Sequence, residues 1–403
     1  MLVLENEKRR IVKSENYNTI MDKQTGLFAR WGKTIKDDPI KAPMPEIADI
    51  EISSGKCHNA CPFCYKQNNE TNALHNMTFD QFKNIFHKLA KTVVDVEYNN
   101  GEHKVAQYNK SFRIYDEATN KQQIIEYTKE RLAGWEIKDI KDIKVYNRGL
   151  LSQIAFGITS PYDNPDFFRM MEYARAFDVI PNYTCNGTDM TSELAERTSK
   201  LCGAVAISCC SDREKSYDAI KMLTDLGMEQ VNIHMVSMQS TFETIMSLFN
   251  DIKTDKRLEK LNAVVLLKYK PKGTNAGKFT QLTQEQYNQI FAKSMELGIN
   301  IGFDSCSCHS FLEAIKDNPK YDKLSALAEP CESTLFSIYI NSECNVFPCS
   351  FCEEECRNNL DWKNGINLLE ADSLETVWNS ERFEEFRTAL LNSNRRCPIF
   401  EGV

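Results

Sequence analysis

Short apolar runs and amphipathic stretches take turns along most of this chain, and that alternation limits the fold more than any other feature. "IADIEIS" (47–53) reads as a strand, and "TFDQFKNIFHKLAKTV" reads as a helix behind a Thr78 cap with Asp80 in its first turn. From residue 150 the order continues through "LLSQIAFGIT", "NPDFFRMMEYARAF", "VIPNYTCNG", "SELAERTSKL", "GAVAISCC", "REKSYDAIKMLTDLG" and "QVNIHMVS". It then runs "TFETIMSLFNDI", "NAVVLLKYK", "TQEQYNQIFAKSMELG", "INIGFDS". Repeated strand and helix with short Gly-bearing joints predict parallel βα units joined by right-handed crossovers, roughly six or seven of them. The expected class is α/β, a partial (βα)6 TIM-like barrel, and chemistry in such barrels sits on loops at the carboxyl ends of the strands.

Residues 92–148 break the rhythm. They alternate apolar and polar positions around a candidate Asn100–Gly101 turn, which predicts a hairpin-rich insertion. It serves either as a solvated decoration or as a platform for substrate or partner at the barrel mouth. The expected division is an N-terminal extension (1–46), the barrel (47–305, with the insertion at 92–148) and a small C-terminal Cys-rich domain (306–403).

With 403 residues, 42% of them hydrophobic, the chain can bury a substantial core. Its net charge of −8, with basic residues scattered among acidic ones, does not describe a nucleic-acid groove. "MLVLENEKRRIVKSENYN" lacks the apolar core of a signal peptide, and no apolar run reaches the roughly 18 residues of a membrane span. The expectation is a cytoplasmic protein that engages neither nucleic acid nor membrane. Fifteen cysteines in such a chain are then poor disulfide formers and better candidates for metal or catalytic chemistry.

Their placement sharpens this. "GKCHNACPFCYKQ" (55–67), directly after the first predicted strand, holds Cys57, Cys61 and Cys64, while eight more cysteines crowd the chain from Cys306 onward. Cys185, Cys202, Cys209 and Cys210 lie between in apolar surroundings and read as small hydrophobes. Structural zinc wants four closed ligands, commonly from paired CxxC knuckles, and His58 is too near in sequence to complete the set. An iron–sulfur cluster with three thiolates instead keeps one iron open to a small molecule.

The loop resembles the radical SAM superfamily, whose signature is Cys-x3-Cys-x2-Cys with an aromatic before the last cysteine. Cys57, Cys61, Phe63 and Cys64 match it position by position. The resemblance implies a [4Fe-4S] cluster whose open iron chelates S-adenosylmethionine, and reductive cleavage to methionine and a 5′-deoxyadenosyl radical that takes hydrogen from a substrate. It also implies a one-electron reductant such as flavodoxin or ferredoxin. "FGITSPYDNPDF" falls where relatives carry a Gly-Gly-Glu-Pro segment that holds the methionine amino group. Gly157 and Pro161 match, while Ser160 replaces the glutamate, leaving Ser160 or Thr159 to accept the hydrogen bond. "CNGT" (185–188), "AIS" (206–208) and "VNIHMV" (231–236) resemble the third, fourth and fifth strands of the family. Ser208 and Asn232 then become expected ribose or carboxylate contacts, and Arg213 an expected partner of the methionine carboxylate.

A second resemblance covers the C-terminal region. "CESTLFSIYINSECNVFPCSFCEEEC", "SLETVWNSERFEEFR" and "RRCPIF" are similar to the auxiliary-cluster domains called SPASM and Twitch. Cys331, Cys349 and Cys397 fall at ligand positions, and Cys344 falls where relatives have a turn glycine. Further cysteines after Cys397, which a second auxiliary cluster would need, do not follow, so the resemblance implies a single auxiliary [4Fe-4S] cluster. Cys306 is the expected fourth ligand and Cys352 the alternative; a zinc tetrad remains the competing reading.

No catalytic side chain is legible. His234, Lys268, Lys270, Asp304 and Tyr183 fall on or beside predicted strands, as lining of the cavity or as structural residues. The expected function is a radical SAM enzyme that modifies a peptide or protein side chain, although residues 1–46 are short for the leader-binding domain of such enzymes. The alternatives are a radical SAM dehydrogenase of a small molecule such as a sugar alcohol, and a non-catalytic metal-binding interaction protein.

Overall fold

The computed structural model describes residues 2–5, 8–90, 92–98, 103–108, 140–146, 150–210, 212–273 and 275–401. Seven parallel strands form its centre. In spatial order they are Ile301–Phe303, Ala263–Lys268, Val231–Ser237, Ala204–Ser208, Ile180–Cys185, Gln153–Gly157 and Ile47–Glu51, each beside its sequence neighbour. Six helices follow the first six strands of the chain order: Phe79–Ala90, Phe167–Ala176, Ser192–Leu201, Arg213–Asp225, Phe242–Thr254 and Gln284–Leu297. This is the partial barrel of six βα units that the periodicity predicts, with one further strand.

Local chemistry sets the element ends. Thr78 Oγ1 accepts from Gln81 N at 3.2 Å while Gln81 Oε1 accepts from Thr78 N at 2.9 Å, a reciprocal cap that starts the first helix. Thr283 and Gln286 repeat the device, and Gly298 ends that helix in the left-handed region. Along the strand Ile47–Glu51, Ala48 and Ile50 are fully buried toward the helices, so Ile47, Asp49 and Glu51 turn to the lumen.

The C-terminal region extends the same sheet. Ser337–Ile340 pairs in parallel with Ile47–Glu51, and Asn345–Phe347 and Ile366–Asn367 follow antiparallel. Lys88 fastens this region to the first helix, donating to the carbonyls of Leu368, Leu369 and Ala371 at 2.7, 3.0 and 2.6 Å. The C-terminal region is thereby hydrogen-bonded, strand to strand, to the barrel strand that leads into the three-cysteine loop.

The N-terminal extension folds as a four-stranded antiparallel sheet from Leu2–Glu5, Arg9–Lys13, Asn18–Asp22 and Phe28–Trp31. Arg30 pins it to Glu46 at 3.0 Å and to Glu332, next to Cys331, at 2.7 Å. Of the expected insertion, Thr92–Tyr98, His103–Tyr108 and Ile140–Tyr146 form a three-stranded antiparallel sheet; the Asn100–Gly101 turn lies outside the described residues. No helix among the described residues is long and apolar enough to cross a membrane.

Candidate functional site

The three-cysteine segment is a closed loop on the carboxyl end of the first barrel strand. Ser53–Ser54 pairs with His75–Asn76 at its neck. Gly55 N donates to Asn68 Oδ1 at 2.9 Å, Asn69 N to Gly55 O at 3.0 Å, and Cys57 N to Asn69 O at 2.9 Å. Gly55 has φ +88°, and a Cβ there would stand 2.0 Å from Ala73 O, so this neck requires glycine. Cys57 Sγ lies 3.8 Å from Thr159 O, at the end of the second strand, and Asn186, at the end of the third, donates to Asn59.

All three thiols are half-buried. Burial pushes the Cys61 thiol up to about 11, with the neighbouring Cys64, Cys57 and Cys210 adding to the effect. No group of three His, Cys, Asp or Glu side chains among the described residues converges closely enough for a single metal ion. Three thiols leave a tetrahedral zinc one ligand short, whereas in an iron–sulfur cluster each thiolate takes its own iron.

The expected cofactor contacts divide. Gly157 ends the second strand so close to the first that a Cβ would lie 3.0 Å from Glu51 Cα. Phe63 is half-buried in the loop. Thr159 and Ser160 lie beside it, but their hydroxyls are already engaged: Thr159 Oγ1 donates to Asp163 Oδ2 at 2.5 Å and Ser160 Oγ to Asp189 Oδ2 at 3.0 Å. Sequence reasoning missed both carboxylates. An acidic residue directly after "CNGT", and another within "SPYDNPDF", was the available signal.

Ser208 closes the fourth strand on its lumen side, level with His234. Arg213 and Asn232 correct the expectation. The Arg213 guanidinium belongs to the outer helical layer, where it donates to Asp251 Oδ2 at 2.9 Å, Ser247 Oγ at 3.2 Å and Thr244 O at 2.6 Å. Asn232 stands one residue into its strand, at the amino-terminal edge of the barrel, and accepts from Asn262 Nδ2 at 2.8 Å. Neither is brought to the cysteine loop.

The second sulfur centre is a cavity of about 210 Å³ lined by Cys306, Cys331, Cys349 and Cys397 together with Asp49, Lys270 and Asp304. Cys352 lies 3.4 Å from Cys349, sulfur to sulfur, and does not line the cavity. The hydrogen bond between the two sulfurs lowers the Cys349 thiol and raises that of Cys352. Burial pushes Cys331 up to about 12. Cys344 has φ +68°, which explains the glycine of related sequences at that turn. Cys202 and Cys209 are core residues, and Cys185 and Cys210 pack against the core.

One segment touches both centres. After the sixth strand, Lys272 donates to Phe351 O at 3.2 Å and to Glu353 O. Gly273, φ +92°, abuts the Cys64 carbonyl so closely that a Cβ would lie 2.3 Å away, and Asn275 Nδ2 donates to Pro62 O at 2.7 Å. Between loop and C-terminal region lies a polar cavity of about 440 Å³, where Lys66 bridges Glu51 and Glu353 and donates to Tyr339 Oη at 2.7 Å.

Of the other lumen candidates, His234 is held neutral, burial pressing its pKa down to about 4, with Thr184 Oγ1 3.3 Å from Nδ1. Lys268 pairs with Glu401, and Asp304 accepts from Ser307 Oγ at 2.6 Å. Tyr183 faces the helices and bonds Thr198 Oγ1 at 2.8 Å, a structural role.

Residues 331–398 match SPASM, an iron-sulfur cluster-binding domain. That match covers the C-terminal part of the chain, and the whole chain shares its fold with solved enzymes of known ligand. Streptococcus suis SuiB bound to S-adenosylmethionine is similar over 96% of this chain and 90% of its own, at a TM-score of 0.58 and 12% identity. SuiB bound to precursor peptide SuiA covers 96% and 91% at 0.57 and 11%. Native anSMEcpe with bound AdoMet and Cp18Cys peptide covers 85% and 82% at 0.50 and 15%. No curated protein matches the sequence. The matched domain is described as binding an iron-sulfur cluster, and the SuiB and anSMEcpe structures hold S-adenosylmethionine.

Proposed function

We propose that this chain is a radical SAM enzyme that modifies a peptide or protein side chain. The observation that carries it is the pairing of a three-thiol loop, one ligand short of closure, with a four-thiol cavity on the same extended sheet. Cys57, Cys61 and Cys64 would hold the first [4Fe-4S] cluster, and Cys306, Cys331, Cys349 and Cys397 one auxiliary cluster. When bound, the first cluster and S-adenosylmethionine supply a 5′-deoxyadenosyl radical that removes hydrogen from the substrate.

The chain's own residues supply placement and exclusion of water. Thr159, Ser160 and the carboxylates behind them edge the cofactor position; neutral His234 and Thr184 give the lumen hydrogen-bonding groups without charge. The polar cavity bounded by Lys66, Glu353 and Asn341 offers charged and amide side chains to a polar substrate. The peptide-bound forms of SuiB and anSMEcpe support the same substrate class. A flavodoxin- or ferredoxin-type protein would deliver the electron. We keep 1–46, 47–305 and 306–403 as the proposed domains.

The test is anaerobic reconstitution, reduction and chromatography for 5′-deoxyadenosine, with peptide mixtures followed by mass spectrometry. Product should form slowly without substrate and faster with a peptide whose mass changes. No 5′-deoxyadenosine above the level of the Cys57/Cys61/Cys64→Ala protein overturns the reading; turnover of a small polyol alone moves the substrate assignment.

A further inference from the structure

Three lysines stand at alternate positions from the end of the sixth barrel strand, and among the described residues the middle one has no hydrogen-bond partner. Lys268 pairs with Glu401, and Lys272 donates to main-chain oxygens of Phe351 and Glu353. Lys270 is only 2% exposed, and its Nζ has no hydrogen-bond partner among the described residues. Leaving an ammonium buried and unpaired costs several kcal/mol, so its retention calls for an anion that pairs with it. The nearby carboxylates are occupied: Glu401 by Lys268, and Asp304 by Ser307 and the Lys268 amide. What Lys270 shares is the cavity lined by Cys306, Cys331, Cys349 and Cys397.

We propose that Lys270 Nζ donates hydrogen bonds to sulfur on the Cys306–Cys397 side of the auxiliary cluster and makes that cluster easier to reduce. The inference rests on the auxiliary-cluster reading given above. One added electron makes the cluster more negative, and a fixed positive charge in a dry cavity stabilises the reduced form more than the oxidised one. Hydrogen bonds to the sulfurs act in the same direction. Lys270 is in this sense a tuning residue: it carries no electron and contacts no reacting substrate atom.

The experiment uses the full chain with Cys57, Cys61 and Cys64 changed to Ala, so that only the auxiliary cluster is read. Iron is counted after anaerobic reconstitution, and the cluster is titrated against potential by electron paramagnetic resonance. Lys270→Met should keep about four iron atoms while its reduced-to-oxidised ratio at a fixed potential falls about tenfold, a shift of about 59 mV to more negative potential. Lys270→Arg should stay near the parent. An unchanged midpoint in Lys270→Met, or an equal shift in Lys270→Arg, overturns the proposal. Should Lys270→Met lose iron, Lys270→Gln is titrated instead, with a shift in the same direction expected. Loss of iron in the Met, Gln and Arg forms alike assigns the residue to packing and overturns the proposal. A parent that binds no iron at this site refutes the auxiliary-cluster reading itself, and the inference with it.

Discussion

Tyr65 packs against Phe351 with ring centroids 4.4 Å apart and planes inclined by 38°. Tyr65 directly follows Cys64, and Phe351 lies between Cys349 and Cys352, so this single aromatic contact joins the two cysteine centres. With the Lys272 and Gly273 contacts, it makes the two loops one packed unit. Phe351→Ala removes the ring pair and leaves a partial void, an expected loss of about 3 kcal/mol. Phe351→Leu should cost about 1 kcal/mol. Denaturant unfolding of the cluster-free protein checks both, and equal midpoints for all three proteins would show that the contact contributes nothing.

Two clusters predict about eight iron atoms in the reconstituted protein. Replacing Cys57, Cys61 and Cys64 by Ala should halve that number. Gly55→Ala should do nearly the same, because its Cβ would strike Ala73 O and open the neck of the loop while leaving the C-terminal cavity intact. Full iron content in Gly55→Ala would show that the loop tolerates an open neck.

The sequence carried the barrel and its first centre plainly, since βα periodicity and the Cys57–Cys61–Cys64 spacing are both local signals. Cys306 was harder to read. It lies 25 residues before Cys331, and only the fold brings it into the same cavity. Arg213 and Asn232 misled for a physical reason: a strand's neighbourhood in sequence does not say which end or which layer a side chain occupies, and Arg213 turned to the helix Phe242–Thr254. The pairing of Ser337–Ile340 with the first strand, and the fold of residues 2–31 as a sheet, depend on partners distant in sequence, which periodicity does not report.

His234 ties stability to pH. Its pKa falls from the ordinary 6.5 to about 4 because burial disfavours the imidazolium. The unfolded chain therefore binds a proton below about pH 6.5 that the folded chain refuses until about pH 4, and stability drops as pH falls through that window. For this residue the loss from pH 7 to pH 5 should reach about 2 kcal/mol. Comparing urea unfolding of the cluster-free protein with that of His234→Gln isolates it: the substituted protein should lose less on acidification, and an identical pH slope would reject the assignment.

The replacement of the expected glutamate by Ser160 leads to a different acceptor from the one the sequence suggests. The Ser160 hydroxyl donates to Asp189, and Asp189 is exposed at the end of the third strand. Thr159 is held by Asp163, and its carbonyl faces Cys57 Sγ at 3.8 Å, so Asp163 stands behind the residue nearest the cysteine loop. A carboxylate accepts from an ammonium more strongly than a hydroxyl does, and a hydrogen bond to a charged group contributes roughly 1.5 to 3 kcal/mol. Asp163→Asn should then weaken S-adenosylmethionine binding about ten- to a hundredfold, while Ser160→Ala and Asp189→Asn change it less than about threefold. Iron content should be the same in all three. Titration of the cofactor against the reduced cluster, followed by electron paramagnetic resonance, measures these affinities. A large loss in Ser160→Ala with Asp163→Asn unchanged would return the role to the hydroxyl, and equal affinity throughout would leave the main-chain carbonyls of Gly157 and Thr159 as the acceptors.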